Sequence, residues 1–250
     1  YDNISINFTG KNGELIIRDI NNTGIPTDKS NIIYKVYNFF YDYTGIEKEE
    51  IILDIEKNIP FSAGLGGGSG NGGAFLLELN RYYGNPVKEE EMIENSKKIG
   101  ADIPFFIKNK PAVVKGIGEN ISDFVSNLDC AVILIKPDFG INTKYAYECI
   151  KKIEKKDFGN IEEIKNGMIE NNIEKVKKNI KNNIRDGLFL CDKNIIEFEE
   201  RLKKIKYAQF FMSGSGSCYY ALTVGRDTEK IYNKLKENFI DYFVSINRFL

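Results

Sequence analysis

Residues 59–74 read Ile59-Pro60-Phe61-Ser62-Ala63-Gly64-Leu65-Gly66-Gly67-Gly68-Ser69-Gly70-Asn71-Gly72-Gly73-Ala74. Seven of the chain's 22 glycines fall between Gly64 and Gly73. That density raises the entropy of the unfolded chain and lowers helix propensity, so general packing does not explain it. A backbone drawn closely around phosphates does, because several amide N–H groups can converge where no side chain obstructs them. A short apolar strand, read over residues 51–55, precedes the stretch. The run Ala74, Phe75, Leu76, Leu77, Leu79 follows it and predicts a helix over about 69–83. The start of that helix would turn free N–H groups and a positive dipole end toward an anion. No Lys-Ser or Lys-Thr follows the glycines, which excludes a Walker loop. The loop is also longer than a dinucleotide-binding turn, and no acidic residue closes a following strand.

Working outward, Ile4, Ile6 and Phe8 alternate, Lys11-Asn12-Gly13 offers a turn, and Leu15, Ile16 and Ile17 follow; this predicts a hairpin. Ile32, Ile33, Val36, Phe39, Phe40 and Tyr43 share one helical face, with Gly45 as the stop and Asp28 or Ser30 as the cap. Residues 88–98 read as a charged surface helix, and 111–117 and 129–135 as strands. Residues 142–152 are helical. Residues 160–182 carry dense Lys, Glu and Asn around a narrow apolar stripe. A further helix is read at 193–204. Two strands, 207–212 and 217–224, flank a glycine turn. Asp227 caps a helix over 227–239, and 243–246 form a last strand.

The net charge of −1, from 35 basic and 36 acidic residues, gives no bulk drive toward nucleic acid or an anionic membrane. No apolar run is long enough to span a bilayer. The chain contains no histidine, which removes Ser-His-Asp and Cys-His catalysis and leaves carboxylate, lysine or tyrosine as the base. Cys130, Cys149, Cys191 and Cys218 lie too far apart for a zinc set, so no metal-ligating residues are assigned. They read as reduced thiols of a cytoplasmic protein.

Three more segments stand out. Gly100-Ala101-Asp102-Ile103-Pro104-Phe105-Phe106 places one carboxylate in an apolar run: either a helix cap with Pro104 in the first turn, or a group that takes a proton from an attacking hydroxyl. Pro137-Asp138-Phe139-Gly140-Ile141-Asn142-Thr143-Lys144-Tyr145-Ala146-Tyr147 carries two helical tyrosines, buried or offered to a base. Phe211-Met212-Ser213-Gly214-Ser215-Gly216-Ser217 reads as a hairpin turn or as part of a site.

Together, Pro60 through Ala74 and these three segments, in this order, resemble the motifs of the GHMP kinases. The triple glycine Gly66-Gly67-Gly68 resembles those members that act on a cytidylyl sugar-alcohol in non-mevalonate isoprenoid precursor synthesis. The resemblance implies an α+β fold in two domains: an N-terminal GHMP kinase domain over residues 1–126 with the ATP-binding loop, and a C-terminal one over 127–250 built as a ferredoxin-like α/β sandwich. It implies ATP-dependent phosphorylation of a hydroxyl, with ATP and Mg²⁺ as cofactors, a small-molecule substrate, no nucleic acid or membrane partner, and a monomer or homodimer. By the same resemblance Asp102 is catalytic. Pro60, Ser62, Ala63, Gly64, Leu65, Gly66, Gly67, Gly68, Ser69 and Gly70 bind the nucleotide, Thr143 lies near the transferred phosphoryl group and Tyr147 near the cytosine. Pro26-Thr27-Asp28 and Asn31 resemble the segment that approaches the nucleotide base. Lys115-Gly116-Ile117-Gly118-Glu119 fits as strand and turn without chemistry. The family pattern has Ser-Ser-Asn-Ala-Ala where this chain has Ser69-Gly70-Asn71-Gly72-Gly73, so a hydroxyl at 70 is missing. It also opens with a Pro-Ala-Lys-Ile-Asn-Leu strand and an Asp-Gly-Tyr-His motif, so an upstream segment of a few dozen residues, carrying a partner lysine, is expected. The alternatives are another GHMP small-molecule kinase, or a truncated or degenerate homologue that binds nucleotide without turnover.

Overall fold

The computed structural model describes residues 1–118 and 120–249; Glu119, the end of the strand-and-turn segment read from Lys115, lies outside the described residues. Contacts divide the chain into two units. One comprises Tyr1–Phe61 and Gly66–Phe124, the other Ser62–Leu65 and everything from Val125 onward.

The first unit contains β1 (Asn3–Asn12), β2 (Leu15–Asp19), α1 (Ile32–Thr44), β3 (Glu49–Glu56), α2 (Gly67–Tyr82), α3 (Glu89–Ser96), α4 (Ile103–Lys108), β4 (Ala112–Lys115) and β5 (Asn120–Asp123). β1 and β2 do not form the expected hairpin. β3 lies between them, antiparallel to β1 and parallel to β2. Ile51, Leu53 and Ile55 on alternate positions of β3 are fully buried, so the most apolar strand takes the centre and the two half-buried ones its flanks. At Gly13 the chain runs so close to β3 that a Cβ there would stand 2.6 Å from that of Glu50. The core is completed by α1 and α2 through Val36, Tyr37, Phe40, Phe75, Leu76 and Leu79.

α1 is capped by Asn31, whose side chain accepts the N–H of Ile33 at 2.9 Å. Asp28 instead accepts from the amide and hydroxyl of Ser30, at 2.9 and 2.6 Å. α1 stops at Gly45, where φ is +71°.

The second unit contains β6 (Ala131–Lys136), α5 (Thr143–Ile150), α6 (Ile161–Ile169), α7 (Ile173–Asn179), α8 (Asn183–Cys191), α9 (Lys193–Leu202), β7 (Phe211–Met212), β8 (Tyr219–Thr223), α10 (Arg226–Asn238) and β9 (Phe243–Arg248). Its sheet runs β7-β8-β6-β9 with antiparallel pairing throughout. Ile133 and Ile135 of β6 pack with Ala146, Leu188, Phe198, Ile231 and Leu235 from the surrounding helices, which makes the expected α/β sandwich. The stripe of α6 and α7 (Ile164, Met168, Ile173, Val176) packs with Leu128, Cys130 and Leu222. Gly225 caps α10, and Asp227 sits in its first turn, paired with Lys230 at 3.2 Å. α8 was not anticipated. Among the described residues no helix is long and apolar enough to cross a membrane.

Candidate active site

The glycine stretch is shared. Residues 62–65 count with the second unit, and Gly66 onward with the first. In the first unit α2 starts at Gly67, two residues earlier than its sequence suggests, so five of the glycines lie inside the helix. The cap residue Gly66 has φ +68°, offers no side-chain bond, and no acidic residue follows in the first turn. The first helical bond runs from Gly70 N–H to Gly66 O at 2.8 Å. The amides of Gly67, Gly68 and Ser69 therefore have no intrahelical acceptor, and with the helix dipole they form an anion-binding end.

Beside that end lies a polar cluster that sequence reasoning missed. The buried carboxylate of Asp2 pairs with the buried ammonium of Lys57. It also accepts the N–H groups of Asn58 at 2.9 Å and Ile59 at 2.7 Å, and the Asn71 side-chain amide at 2.9 Å. The exit of β3 and the first turns of α2 are thus fastened to one carboxylate. Burial raises the Asp2 pKa, but the hydrogen bonds from Lys57, Ile59 and Asn71 outweigh it and hold it below 3.8. A Cβ at Gly67 would come within 2.9 Å of Lys57 Nζ. Neither Asp2 nor Lys57 stands in a motif; the register that sets Asn3 opposite Glu56 brings them together.

Asp102 holds the cap position of α4, where Ile103, Pro104 and Ile107 are buried. Its exposed carboxylate makes no cap bond; only its backbone carbonyl is engaged, by Phe106 N–H at 3.4 Å. The carboxylate hydrogen-bonds to none of the described residues. On their side-chain side Gly66, Gly70 and Gly73 face Phe106.

In the second unit three segments converge. Ser213 Oγ donates to Gly64 O at 2.8 Å, and Cys218 N–H to Ala63 O at 3.1 Å. Ser217 Oγ donates to Phe139 O at 2.6 Å; Lys136 Nζ donates to Pro137 O at 2.7 Å and Phe139 O at 3.2 Å. Burial lowers the Lys136 pKa. The Thr143 and Ser215 hydroxyls stand 3.4 Å apart. The loop 213–218 therefore holds both residues 63–64 and the lead into α5. Gly64, at φ +71°, admits no side chain, since a Cβ would strike Ser213 O.

Of the other predicted residues, Pro60 and Leu65 are half-buried, Ser62 is exposed at φ +53°, and Ala63 is buried, so Ala63 can contribute only backbone. Tyr147 is 57 % exposed, which removes the buried alternative for it. Tyr145 is partly exposed too, with its hydroxyl donating to Cys191 O at 3.2 Å. Among the described residues no three His, Cys, Asp or Glu gather to hold a metal.

Two family models match the chain: GHMP kinases N terminal domain over residues 31–110 and GHMP kinases C terminal over 149–241. A 4-diphosphocytidyl-2-C-methyl-D-erythritol kinase of Fusobacterium nucleatum is 39% identical over 242 residues, 96% of this chain and 82% of that one. One from a Sulfurihydrogenibium species is 36% identical over 84% of this chain and 75% of its own length. Among solved structures, a 4-(cytidine 5'-diphospho)-2C-methyl-D-erythritol kinase superposes with a TM-score of 0.76 at 21% identity, covering 98% of this chain and 85% of that one. A homoserine kinase from Cytophaga hutchinsonii gives 0.74 at 15% identity, covering 100% and 85%. The fold is common to both structures, and the sequence relatives match both units over most of their length: the chain belongs to the GHMP kinase family.

Proposed function

We propose that this chain transfers the γ-phosphoryl group of ATP to a hydroxyl of 4-diphosphocytidyl-2-C-methyl-D-erythritol, as a cytoplasmic enzyme of isoprenoid precursor synthesis. One observation carries the chemistry: the first unit presents the unpaired amides of Gly67, Gly68 and Ser69 together with a carboxylate, Asp102, that nothing else in the described structure uses. The amides hold phosphate, and Asp102 orients or deprotonates the acceptor hydroxyl. The substrate is taken from the relatives. Exposed Tyr147 offers a flat face for the cytosine, and the family resemblance assigns Thr143 to the phosphoryl group. Mg²⁺ would need only one or two protein oxygens; the Ser69 hydroxyl would hold it, and it would supply neutralisation of phosphate charge.

The test is turnover by the full-length protein with ATP and each of three acceptors: the cytidylyl sugar-alcohol, homoserine and mevalonate. ADP release is measured alongside the new phosphomonoester by ³¹P NMR. Turnover on the cytidylyl compound alone is expected. Equal kcat/KM on homoserine or mevalonate, or ADP release without a new monoester, contradicts the proposal.

A further inference from the structure

Gly66, Gly70 and Gly73 are spaced by four and three residues and so form one face at the start of α2. The Phe106 side chain lies along that face. A Cβ at Gly66 would stand 2.5 Å from Phe106 Cζ, at the tip of the ring, and one at Gly70 would stand 3.4 Å from Cδ1 and Cε1. One at Gly73 would stand 3.0 Å from Phe106 Cβ, 3.3 Å from its carbonyl carbon and 3.4 Å from Ile107 N. A single residue thus spans from the helix cap to its second turn, and at Gly73 the contact reaches the backbone of α4 itself.

This contact differs from the rest of α4. Ile103 and Ile107 lie in the core cluster with Phe75, Leu76 and Leu79, and they seat α4 in the fold. Phe106 is only half-buried; its ring meets that of Phe105 edge-on at 5.3 Å and otherwise lies along the glycine face. Phe106 is also one turn beyond Asp102, with its N–H on the Asp102 carbonyl at 3.4 Å. A shift of Phe106 relative to the glycine face is therefore a shift of Asp102 relative to the anion-binding end of α2.

We propose that Phe106 is a positioning residue whose side chain, lying on the glycine face, gauges the separation between the Asp102 carboxylate and the phosphate-binding end of α2. The inference rests on the kinase reading above. Proton abstraction and phosphoryl transfer tolerate displacements of only a fraction of an ångström, and a rigid ring against bare backbone holds such a distance better than two interdigitating flexible side chains. The glycines at 70 and 73 then have a role distinct from binding phosphate: they let α4 approach.

Two substitutions load opposite ends of the same side chain. Gly73→Ala presses on the Phe106 backbone and leaves the cap of α2 untouched. It should lower kcat about tenfold or more, with calorimetric affinity for a non-hydrolysable ATP analogue within about threefold of wild type. Phe106→Tyr adds an oxygen at Cζ, against Gly66, and should weaken nucleotide affinity about tenfold or more. Unchanged kcat in folded Gly73→Ala, or parallel losses of kcat and affinity in both variants, overturns the proposal. Should Gly73→Ala not fold, Phe106→Leu replaces it: it withdraws the ring from Gly66 and Gly70, and wild-type kcat in that variant is equally contrary. If wild type turns over no acceptor, the kinase reading fails. The two nucleotide affinities still decide this proposal: weakened only in Phe106→Tyr supports it, and equal values overturn it.

Discussion

Ser213 donates its hydroxyl proton to the carbonyl oxygen of Gly64 at 2.8 Å, a bond between residues 149 positions apart. With the Cys218 amide on Ala63 O, it fixes the leading edge of the glycine stretch through backbone acceptors alone. Ser213→Ala should cost about 1 kcal/mol of stability, the usual net value of one hydrogen bond. Freed at Gly64, the loop should bind nucleotide more weakly, by roughly threefold to tenfold. Calorimetric titration with a non-hydrolysable ATP analogue measures this, and unchanged affinity would separate Gly64 from nucleotide binding.

A second prediction concerns the buried Asp2–Lys57 pair. The two carboxylate oxygens of Asp2 serve four donors, and an amide can replace only one of those oxygens. Asp2→Asn also leaves the Lys57 charge uncompensated, a change that costs about 3–5 kcal/mol in buried pairs. The folded pKa of Asp2 lies below its ordinary 3.8. Its contribution is therefore complete above about pH 4 and is lost as pH falls through the folded value. Urea midpoints should differ widely between wild type and variant at pH 7 and converge below pH ~4. A constant gap across that range contradicts the assignment.

Much of this was legible in local pattern. The 3.6-residue spacing located α1 and its stop at Gly45, and the break between glycines and apolar residues located α2. What failed locally was long-range. β1 and β2 look like neighbours because they alternate and flank a turn, yet the fully buried Ile51, Leu53 and Ile55 draw β3 between them. α8 escaped notice because Gly187 interrupts its pattern. In the fold that glycine lets the helix lie against α5, where a Cβ would come within 2.7 Å of Ile150 N. In the candidate site, the residue types of the loop and Asp102 pointed to the chemistry, while Ser217, Lys136 and Asp2 act through contacts that only tertiary structure creates. The density of glycines does not show that three of them, Gly66, Gly70 and Gly73, turn one face toward Phe106.

Tyr147 supplies a third prediction. At 57 % exposure on α5 it contributes little to packing, so Tyr147→Ala should change stability by less than about 0.5 kcal/mol. If its ring stacks on cytosine, the loss is about 1–3 kcal/mol in binding, seen as a raised KM for the cytidylyl substrate with KM for ATP unchanged. Equal changes in both KM values would remove Tyr147 from the substrate side.

On the proposed mechanism Asp102 serves the acceptor hydroxyl rather than the helix it begins. Its carboxylate makes no bond within the described structure, so Asp102→Asn should leave the unfolding midpoint and nucleotide affinity near wild type. The direct measurement is kcat of the full-length variant on the cytidylyl sugar-alcohol at saturating ATP, followed as new phosphomonoester by ³¹P NMR. A fall of about a hundredfold or more in a protein of unchanged stability is the predicted result. Wild-type kcat in the variant would contradict it.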